Sequence, residues 1–296
     1  MKVTAAITTY NRAAFLRGAL DSVFAQTRPA DEVLVVDDGS TDDTRDVLDA
    51  YRDRVRVVHQ ENAGRSGARN RAVEEARGEL LSFLDSDDRW LPGKLERQVP
   101  LLEGNAGVAM VHGHVDVIDG NGEVLAAETA HHHELFSAAH RNGVSYAGYA
   151  FDCRCFSSAL TARVSKVKDV GLYDPTLLLD DYDLYLRLAL DGEIVFLEGP
   201  AAALYRLHEG QMTTYELTMG QIQTAEKHLR LLEERRDVLD RDLARRNFEL
   251  MLARSWAVLD DQSASRRHLL RALRLDPGLL RRPWVPRRLV ASFVKR

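Results

Sequence analysis

The chain is short of several residue types, and each shortage narrows what it can be. It has two cysteines in 296 residues, Cys153 and Cys155. Two thiols cannot build a disulfide framework, so a reducing cytoplasm is the expected compartment. Cys153-Arg154-Cys155 also lacks the second pair of a structural zinc site, and the expectation is free thiols in a strand. No segment offers the roughly 18 uninterrupted apolar residues of a membrane helix. The start, Met1-Lys2-Val3-Thr4-Ala5-Ala6-Ile7-Thr8, turns polar at Thr8-Thr9 before a secretory apolar region develops. At 45% hydrophobic and 29% charged, the composition excludes disordered, collagenous and low-complexity classes. Lysine is scarce, with six against 34 arginines, a bias better ascribed to codon composition than to chemistry.

What is present is arranged asymmetrically. Residues 262–296 hold ten basic residues and one acid, Asp276, so this stretch is +9 and the preceding 261 residues carry −14 of the net −5. Parts of opposite sign point to different partners. The first hundred residues alternate apolar strands with helical spacing. Strands are expected at Val3–Thr8, Glu32–Val36, Val55–His59 and Leu80–Leu84. Helices are expected over Arg12–Gln26, from Ser40 or Thr41 to Tyr51, and over Ser66–Ala76. That pitch predicts an α/β protein with a parallel sheet. Val108–Asp116 and Glu123–Leu125 flank a hairpin turn at Asp119-Gly120-Asn121-Gly122. Ala130–Ala150 has little periodicity and predicts a long loop. Asp180–Leu190 has helical spacing, and Ile194–Leu197 and Ala201–Leu207 read as strands. Beyond Thr214 the pattern is helical, with loops near Asp260–Ser263 and Asp276–Gly278. The expected division is therefore 1–214 and 215–296. Ser265–Pro277 is like the second helix of a tetratricopeptide unit, with no repeat beside it.

Ligands of open parallel sheets bind beyond the carboxyl ends of the strands. Here those ends read Thr8-Thr9-Tyr10-Asn11-Arg12, Asp37-Asp38-Gly39-Ser40-Thr41-Asp42 and Asp85-Ser86-Asp87-Asp88. Helix capping accounts for one acidic end, but Asp85-Ser86-Asp87 is followed by Trp90-Leu91-Pro92 rather than by a long helix. Alternating carboxylates suit a divalent cation that keeps waters and bridges phosphate oxygens, so a metal-bound nucleotide or diphosphate is expected.

These segments, with Glu61-Asn62-Ala63-Gly64 through Ala68-Arg69-Asn70 and Asp180-Asp181-Tyr182-Asp183-Leu184-Tyr185-Leu186-Arg187, resemble the motifs of the family 2 glycosyltransferases. The resemblance covers roughly residues 1–210. It implies a GT-A fold, Rossmann-like with a mostly parallel sheet and flanking helices, followed here by a C-terminal helical region. It further implies inverting, hexosyltransferase-type transfer from a nucleotide-sugar donor, UDP favoured, to a hydroxyl acceptor, with Mn²⁺ or Mg²⁺. By the resemblance, Tyr10 stacks on the base, Thr8 and Asn11 line its pocket and Asp38 accepts from it. Arg65 and Arg69 face base or diphosphate, Asp85 approaches the ribose, and Asp87 binds the metal with His208 nearby. The resemblance also implies that Asp181 is the base that takes the acceptor's proton and that Asp180 and Arg187 meet the acceptor or support the site; Asp88 is a further acid there that equally fits support of the turn. Asp180 departs from the family's glutamate by one methylene. Ser157 and Ser158 fall where the acceptor side begins.

His131-His132-His133 reads as loop rather than a metal tract, since three consecutive histidines do not easily face one ion. An Asp-x-Asp strand end also fits a haloacid-dehalogenase-like phosphotransferase, but Asp88-Arg89 stands where such enzymes have Gly-Thr. A receiver-type acid pocket lacks its lysine near residue 137, and a non-catalytic nucleotide-sugar-binding module would not need Asp85, Asp87 and Asp181 intact. The expected partners are the donor, a carbohydrate or lipid-linked acceptor in bacterial polysaccharide or glycoconjugate synthesis, and a second copy through the C-terminal helices. Leu279, Leu280, Trp284, Val285, Leu289, Val290 and Phe293 are interleaved with six basic residues from Arg281 to Arg296. This predicts peripheral contact of 279–296 with anionic membrane, at the inner face of the plasma membrane. No nucleic-acid motif accompanies the charge.

Overall fold

The computed structural model describes residues 1–140, 144–153, 155–287 and 289. The chain runs through β1 (Val3–Thr9), α1 (Ala13–Phe24), β2 (Glu32–Asp37), α2 (Thr44–Asp49), β3 (Arg56–His59), α3 (Gly64–Glu75) and β4 (Leu80–Asp85). Then come β5 (Arg89–Trp90), α4 (Lys94–Gly104), β6 (Val108–Gly113), β7 (Val115–Ile118), α5 (Ala126–His140) and α6 (Tyr146–Tyr149). The remainder is β8 (Leu160–Arg163), α7 (Val164–Asp169), α8 (Asp180–Asp191), β9 (Glu193–Leu197), β10 (Ala203–Arg206), α9 (Thr214–Glu234), α10 (Arg241–Val258) and α11 (Gln262–Leu275). Among the described residues, no helix is long and apolar enough to cross a membrane.

Two compact units emerge. The first comprises Met1–Val144, Arg154–Pro175 and Arg187–Gln211; the second comprises Ser145–Cys153, Thr176–Leu186 and Met212–Arg296. The second unit is discontinuous, adding two earlier segments to Met212–Arg296. Their side chains explain why. Tyr182 Oη donates to the Tyr149 carbonyl (2.9 Å), Asn247 donates to the Ala147 carbonyl (2.7 Å), and the Tyr146 and Phe248 rings lie 5.8 Å apart.

In the first unit a seven-stranded sheet has the order β3-β2-β1-β4-β8-β6-β9. β3, β2, β1 and β4 are mutually parallel, β8 runs antiparallel to both neighbours, and β6 pairs β9 in parallel. Val3, Ala5 and Ile7 of β1 and Val33 and Val35 of β2 pack with Leu16, Leu20, Leu95 and Val99 of α1 and α4. The alternate residues Ala6, Leu34 and Val36 are equally buried, because α3 packs on β1 and β2. That double cover is why these strands read as unbroken apolar runs. Each buried valine, leucine or isoleucine here contributes about 1.5–3 kcal/mol by its burial. A second, three-stranded sheet, β5-β10-β7, lies within the same unit. The register places Thr8 beside both Val36 and Asp85, and Thr9 beside Asp37, so three strands end at one edge.

Several expectations are corrected. Residues 126–140 form helix α5 and 146–149 form α6, not a long loop. The segment Ala126–His140 has good helix formers but no apolar stripe, so periodicity was silent. His131–His133 is therefore helical. His133 Nε2 lies 2.9 Å from Asp116 Oδ1, and its ring stacks on His114 at 4.3 Å. Cys153 and Cys155 lie in irregular chain rather than a strand. Val108–Asp116 divides between two sheets as β6 and β7, and of Glu123–Leu125 only Val124 bridges, to Ile118.

The second unit is helical. Thr213 and Glu216 form a reciprocal capping box on α9, and Asp261 caps α11 through the Ala264 N–H. Leu250 and Ala253 of α10 bury against Leu269 and Ala272 of α11, with Leu279 and Val285 beyond. Inside it, Asp183 pairs with Lys227 (2.9 Å) and with His228 Nε2 (3.1 Å), whose Nδ1 meets Tyr146 Oη at 3.0 Å. Of the expected membrane tail, residues 288 and 290–296 lie outside the described residues.

His112 is fully buried beneath α5, its ring 4.9 Å from that of His140, and burial with the neighbouring His140 and His114 holds its pKa well below the ordinary value. Below about pH 6.5 the unfolded chain takes up a proton that the folded chain resists, so stability is lost as pH falls. Each such histidine removes up to about 1.4 kcal/mol per pH unit. His112→Phe should make the fall in melting temperature between pH 7 and pH 5 shallower, measured by calorimetry. An unchanged slope would remove His112 from that role.

Candidate active site

The edge formed by β1, β2 and β4 gathers most of the expected residues of the first unit. Tyr10 follows β1 directly and is 46% exposed, an aromatic face open to a ring-shaped ligand. Asn11 adopts φ 51°; its N–H donates to Ser40 Oγ (3.0 Å) and its Oδ1 accepts from the Thr41 N–H (2.8 Å). Asn11 therefore ties the loop after β1 to the loop after β2. Asp37 is a loop former too, since its Oδ1 accepts from the Ser40 N–H and its Oδ2 meets His59 Nδ1, both at 3.0 Å.

Asp38 differs. It is buried, and its Oδ1 accepts from Gln60 Nε2 (2.7 Å) and the Ala63 N–H (2.8 Å). Its Oδ2 has no partner among the described residues and remains for a further donor. The turn beside it needs Gly39, at φ 79°, because an added Cβ would stand 3.0 Å from the Asn62 nitrogen. Arg65 is exposed on the first turn of α3, and Thr8 is half-buried between β2 and β4.

The acidic turn after β4 is held by four basic groups. Arg69 is buried to 2% exposure and donates from Nη2 to Asp85 Oδ1 and to Ser157 Oγ, each at 3.0 Å. Asp87 Oδ2 lies 3.0 Å from His208 Nε2 and 3.6 Å from Arg12 Nε. The Gly210 N–H donates to His208 Nδ1 (3.1 Å), which leaves the ring proton on Nε2, facing Asp87. Arg206 runs behind the turn, donating from Nε to the Asp87 carbonyl (2.7 Å) and from Nη1 to the Asp119 and Gly120 carbonyls. Its guanidinium stands 4.9 Å from the Phe15 ring centre.

Asp88 points inward. Its Oδ2 accepts from Ser158 Oγ (2.6 Å) and its Oδ1 from the Arg206 N–H (2.9 Å). Burial, then the charges of Asp85 and Asp87, push its carboxyl well above the usual range. Asp88 is thus a strut of the turn with Ser158 as its partner, while Ser157 accepts from Arg69. Arg187 also turns out to be structural: it donates to the Val170 carbonyl and, at 2.6 Å, to the Leu172 carbonyl.

Asp180 and Asp181 open α8 in the second unit. Asp180 is fully buried, while Asp181 is half-buried and its Oδ1 accepts from the Tyr182 N–H at 2.8 Å. Sequence reasoning gave no role to Arg206 or to the pairing of Arg12 with Asp87. The signal for Arg206 was an arginine inside a short apolar strand, Ala203–Arg206, which only a built partner set makes tolerable.

The model of a family described as Glycosyl transferase family 2 matches residues 4–163, more than half of the chain. The chain belongs to that family. Among curated relatives it is 28% identical over 212 residues to an Escherichia coli enzyme, UDP-Glc:alpha-D-GlcNAc-diphosphoundecaprenol beta-1,3-glucosyltransferase WfgD, covering 70% of this chain and 77% of that one. The chain spans two fifths or less of the length of four other curated relatives it matches, and 67% of two more. S. aureus TarS 1-349 in complex with UDP-GlcNAc shares its fold, with TM-score 0.67 at 19% identity over 99% of this chain and 89% of that one. So does the mannosyltransferase PcManGT of Pyrobaculum calidifontis in complex with GDP-Man and Mn²⁺, with TM-score 0.65, 18% identity and coverage of 99% and 86%. This family 2 member therefore has the GT-A architecture, with the acidic turn at the carboxyl end of its parallel strands.

Ser158→Ala removes the hydroxyl that serves both Asp88 and the Asp85 N–H, leaving buried polar groups unsatisfied. The expected loss is about 2 kcal/mol of stability, measured by urea denaturation. A loss within error of zero would show that Asp88 does not depend on Ser158.

Proposed function

We propose that this chain is a metal-dependent, inverting glycosyltransferase that moves a hexosyl group from a nucleotide-sugar, UDP favoured, to a hydroxyl of a carbohydrate or lipid-linked acceptor in bacterial surface-polysaccharide or glycoconjugate synthesis. The observation that carries it is the convergence of exposed Tyr10, buried Asp38 and the Asp85–Asp87 turn at adjacent strand ends in a family 2 fold. WfgD is named for UDP-Glc and a diphosphoundecaprenol-linked acceptor, and two structures of the same fold hold UDP-GlcNAc, and GDP-Man with Mn²⁺.

The donor set fits a hard divalent ion that shares its shell with substrate. Among the described residues no group of three or more His, Cys, Asp or Glu is placed to enclose an ion. Asp87 Oδ2 and His208 Nε2 stand together, which suits Mg²⁺ or Mn²⁺ completing its shell with water and phosphate oxygens. Both groups facing one ion would require the Nε2 proton to move to Nδ1 and the Gly210 bond to open. The ion supplies positive charge that favours departure of the diphosphate.

The chain's own residues do the rest. Tyr10 offers a stacking face, and Asp38 Oδ2 accepts an N–H of a uracil-like ring. Arg69 fixes Asp85 toward the ribose, and Arg206 holds the carbonyl of Asp87 so that its carboxylate faces His208. Asp181 takes the acceptor's proton, and direct attack of that hydroxyl on the anomeric carbon inverts it. The assignment of Asp181 comes from the Asp180-Asp181 motif at the start of a helix, with Asp180 buried as its support.

Calorimetric titration with UDP-, GDP- and dTDP-sugars, with and without Mn²⁺, tests the donor. Binding should require the ion and be lost in Asp87→Ala; nucleotide binding indifferent to both would sink the metal assignment. Asp181→Asn should keep donor affinity and lose about 10²–10⁴-fold in turnover. Near-normal transfer by that variant would take the base role from Asp181.

A further inference from the structure

We propose that the outer face of α11 is a membrane-surface contact that binds anionic lipid headgroups. At about 100° per residue, Arg266, Leu270, Arg274, Arg267, Arg271 and Leu275 fall in that order on one half of the helix. The opposite half, Ser265, His268, Leu269 and Ala272, is buried, as is Ala264 in the first turn. Arg267, Arg271 and Arg274 are exposed, and Leu270 and Leu275, one on either side of them, are each 40% exposed. The same character continues beyond the helix, with Leu280 at 51% exposure followed by exposed Arg281 and Arg282.

Within the segment itself, basic residues outnumber acids. From residue 262 to 287 there are seven arginines and one acid, Asp276. Asp276 pairs with Arg246 at 2.7 Å and caps the Gly278 N–H. Glu249, beneath the helix, is buried against His268 at 2.6 Å and reaches Arg271 only at 4.0 Å. Arg267, Arg271 and Arg274 thus give this face an excess of exposed basic side chains.

The leucines decide the partner. A nucleic acid or an acidic glycan would gain nothing from apolar side chains set beside the arginines. A second copy pairing through the same face would bring like charges together. A lipid surface uses both features: guanidinium groups at the phosphates and leucines among the first methylenes. The surface described is thus α11 and the segment to Arg287, rather than the last residues. It rests on no feature of the acidic turn.

Co-sedimentation of the full chain with phosphatidylglycerol–phosphatidylcholine vesicles and with phosphatidylcholine vesicles tests it. Binding is expected only to the anionic vesicles and should weaken as NaCl is raised. Arg267→Gln, Arg271→Gln and Arg274→Gln together should lower the partition coefficient about 100-fold, at about 1 kcal/mol per near-surface charge. Leu270→Ser with Leu275→Ser, which leaves the charge intact, should lower it about tenfold. Equal binding to both vesicles, or wild-type binding insensitive to salt, overturns the proposal. So does retention on a polyanion without vesicle binding, or a doubled mass in light scattering that the leucine variant abolishes. Donor titration on the same samples keeps the two readings apart: failure at the vesicles leaves nucleotide-sugar binding intact, and the converse holds as well.

Discussion

Asp85, Asp87 and Asp88 end one strand within four residues, and carboxylates that close raise one another's cost of ionisation. The surroundings of β4 answer that constraint. Arg69 reaches across from α3 to Asp85, His208 and Arg12 face Asp87, and Arg206 holds the backbone from behind. Asp88 is turned inward to Ser158 and the Arg206 N–H, where burial drives it toward the neutral form. Two acids then remain at the edge rather than three. This division leaves Asp85 and Asp87 at the edge, each met by a basic group.

The counter-charges come from every quarter of the first unit, which ties the site to the whole sheet. Arg12 follows β1, Arg69 lies on α3, Arg206 ends β10, and Ser157 and Ser158 precede β8. The antiparallel strand β8 is needed for this, because it brings the two serines beneath β4. Its own pairing encloses Lys94, which donates to Ser82 Oγ, the Leu160 carbonyl (2.9 Å) and Thr161 Oγ1 (3.2 Å). A buried lysine among three acceptors gives this part of the sheet a fixed polar seam.

Legibility followed the physics of local signals. β1, β2 and β4 were plain because double cover makes them continuous apolar runs, and α1 because one face meets the sheet. α5 was missed because its contacts are histidine and aromatic rings, His133 on His114 and His140 on Phe196, which leave no stripe of aliphatic residues. β5 was missed because two residues carry no period, and β8 because Leu160-Thr161-Ala162-Arg163 mixes polar and apolar residues without a run. The acidic motifs were visible as residue types in sequence. Yet Asp37, Asp38 and Asp88 differ in role only through the donors that meet them.

The sequence by itself determined the alternation of strands and helices, the three polar strand ends, the family and the opposite charges of its two parts. These are properties of neighbours along the chain, where spacing and residue chemistry suffice. Tertiary structure alone decided that Arg187, Asn11 and Asp88 are braces, that Arg206 and Ser158 belong to the site, and that Tyr146 and Asp183 join the helical unit through His228. Each of those outcomes depends on which distant donor meets which acceptor once register and burial are set, and no local pattern encodes that meeting.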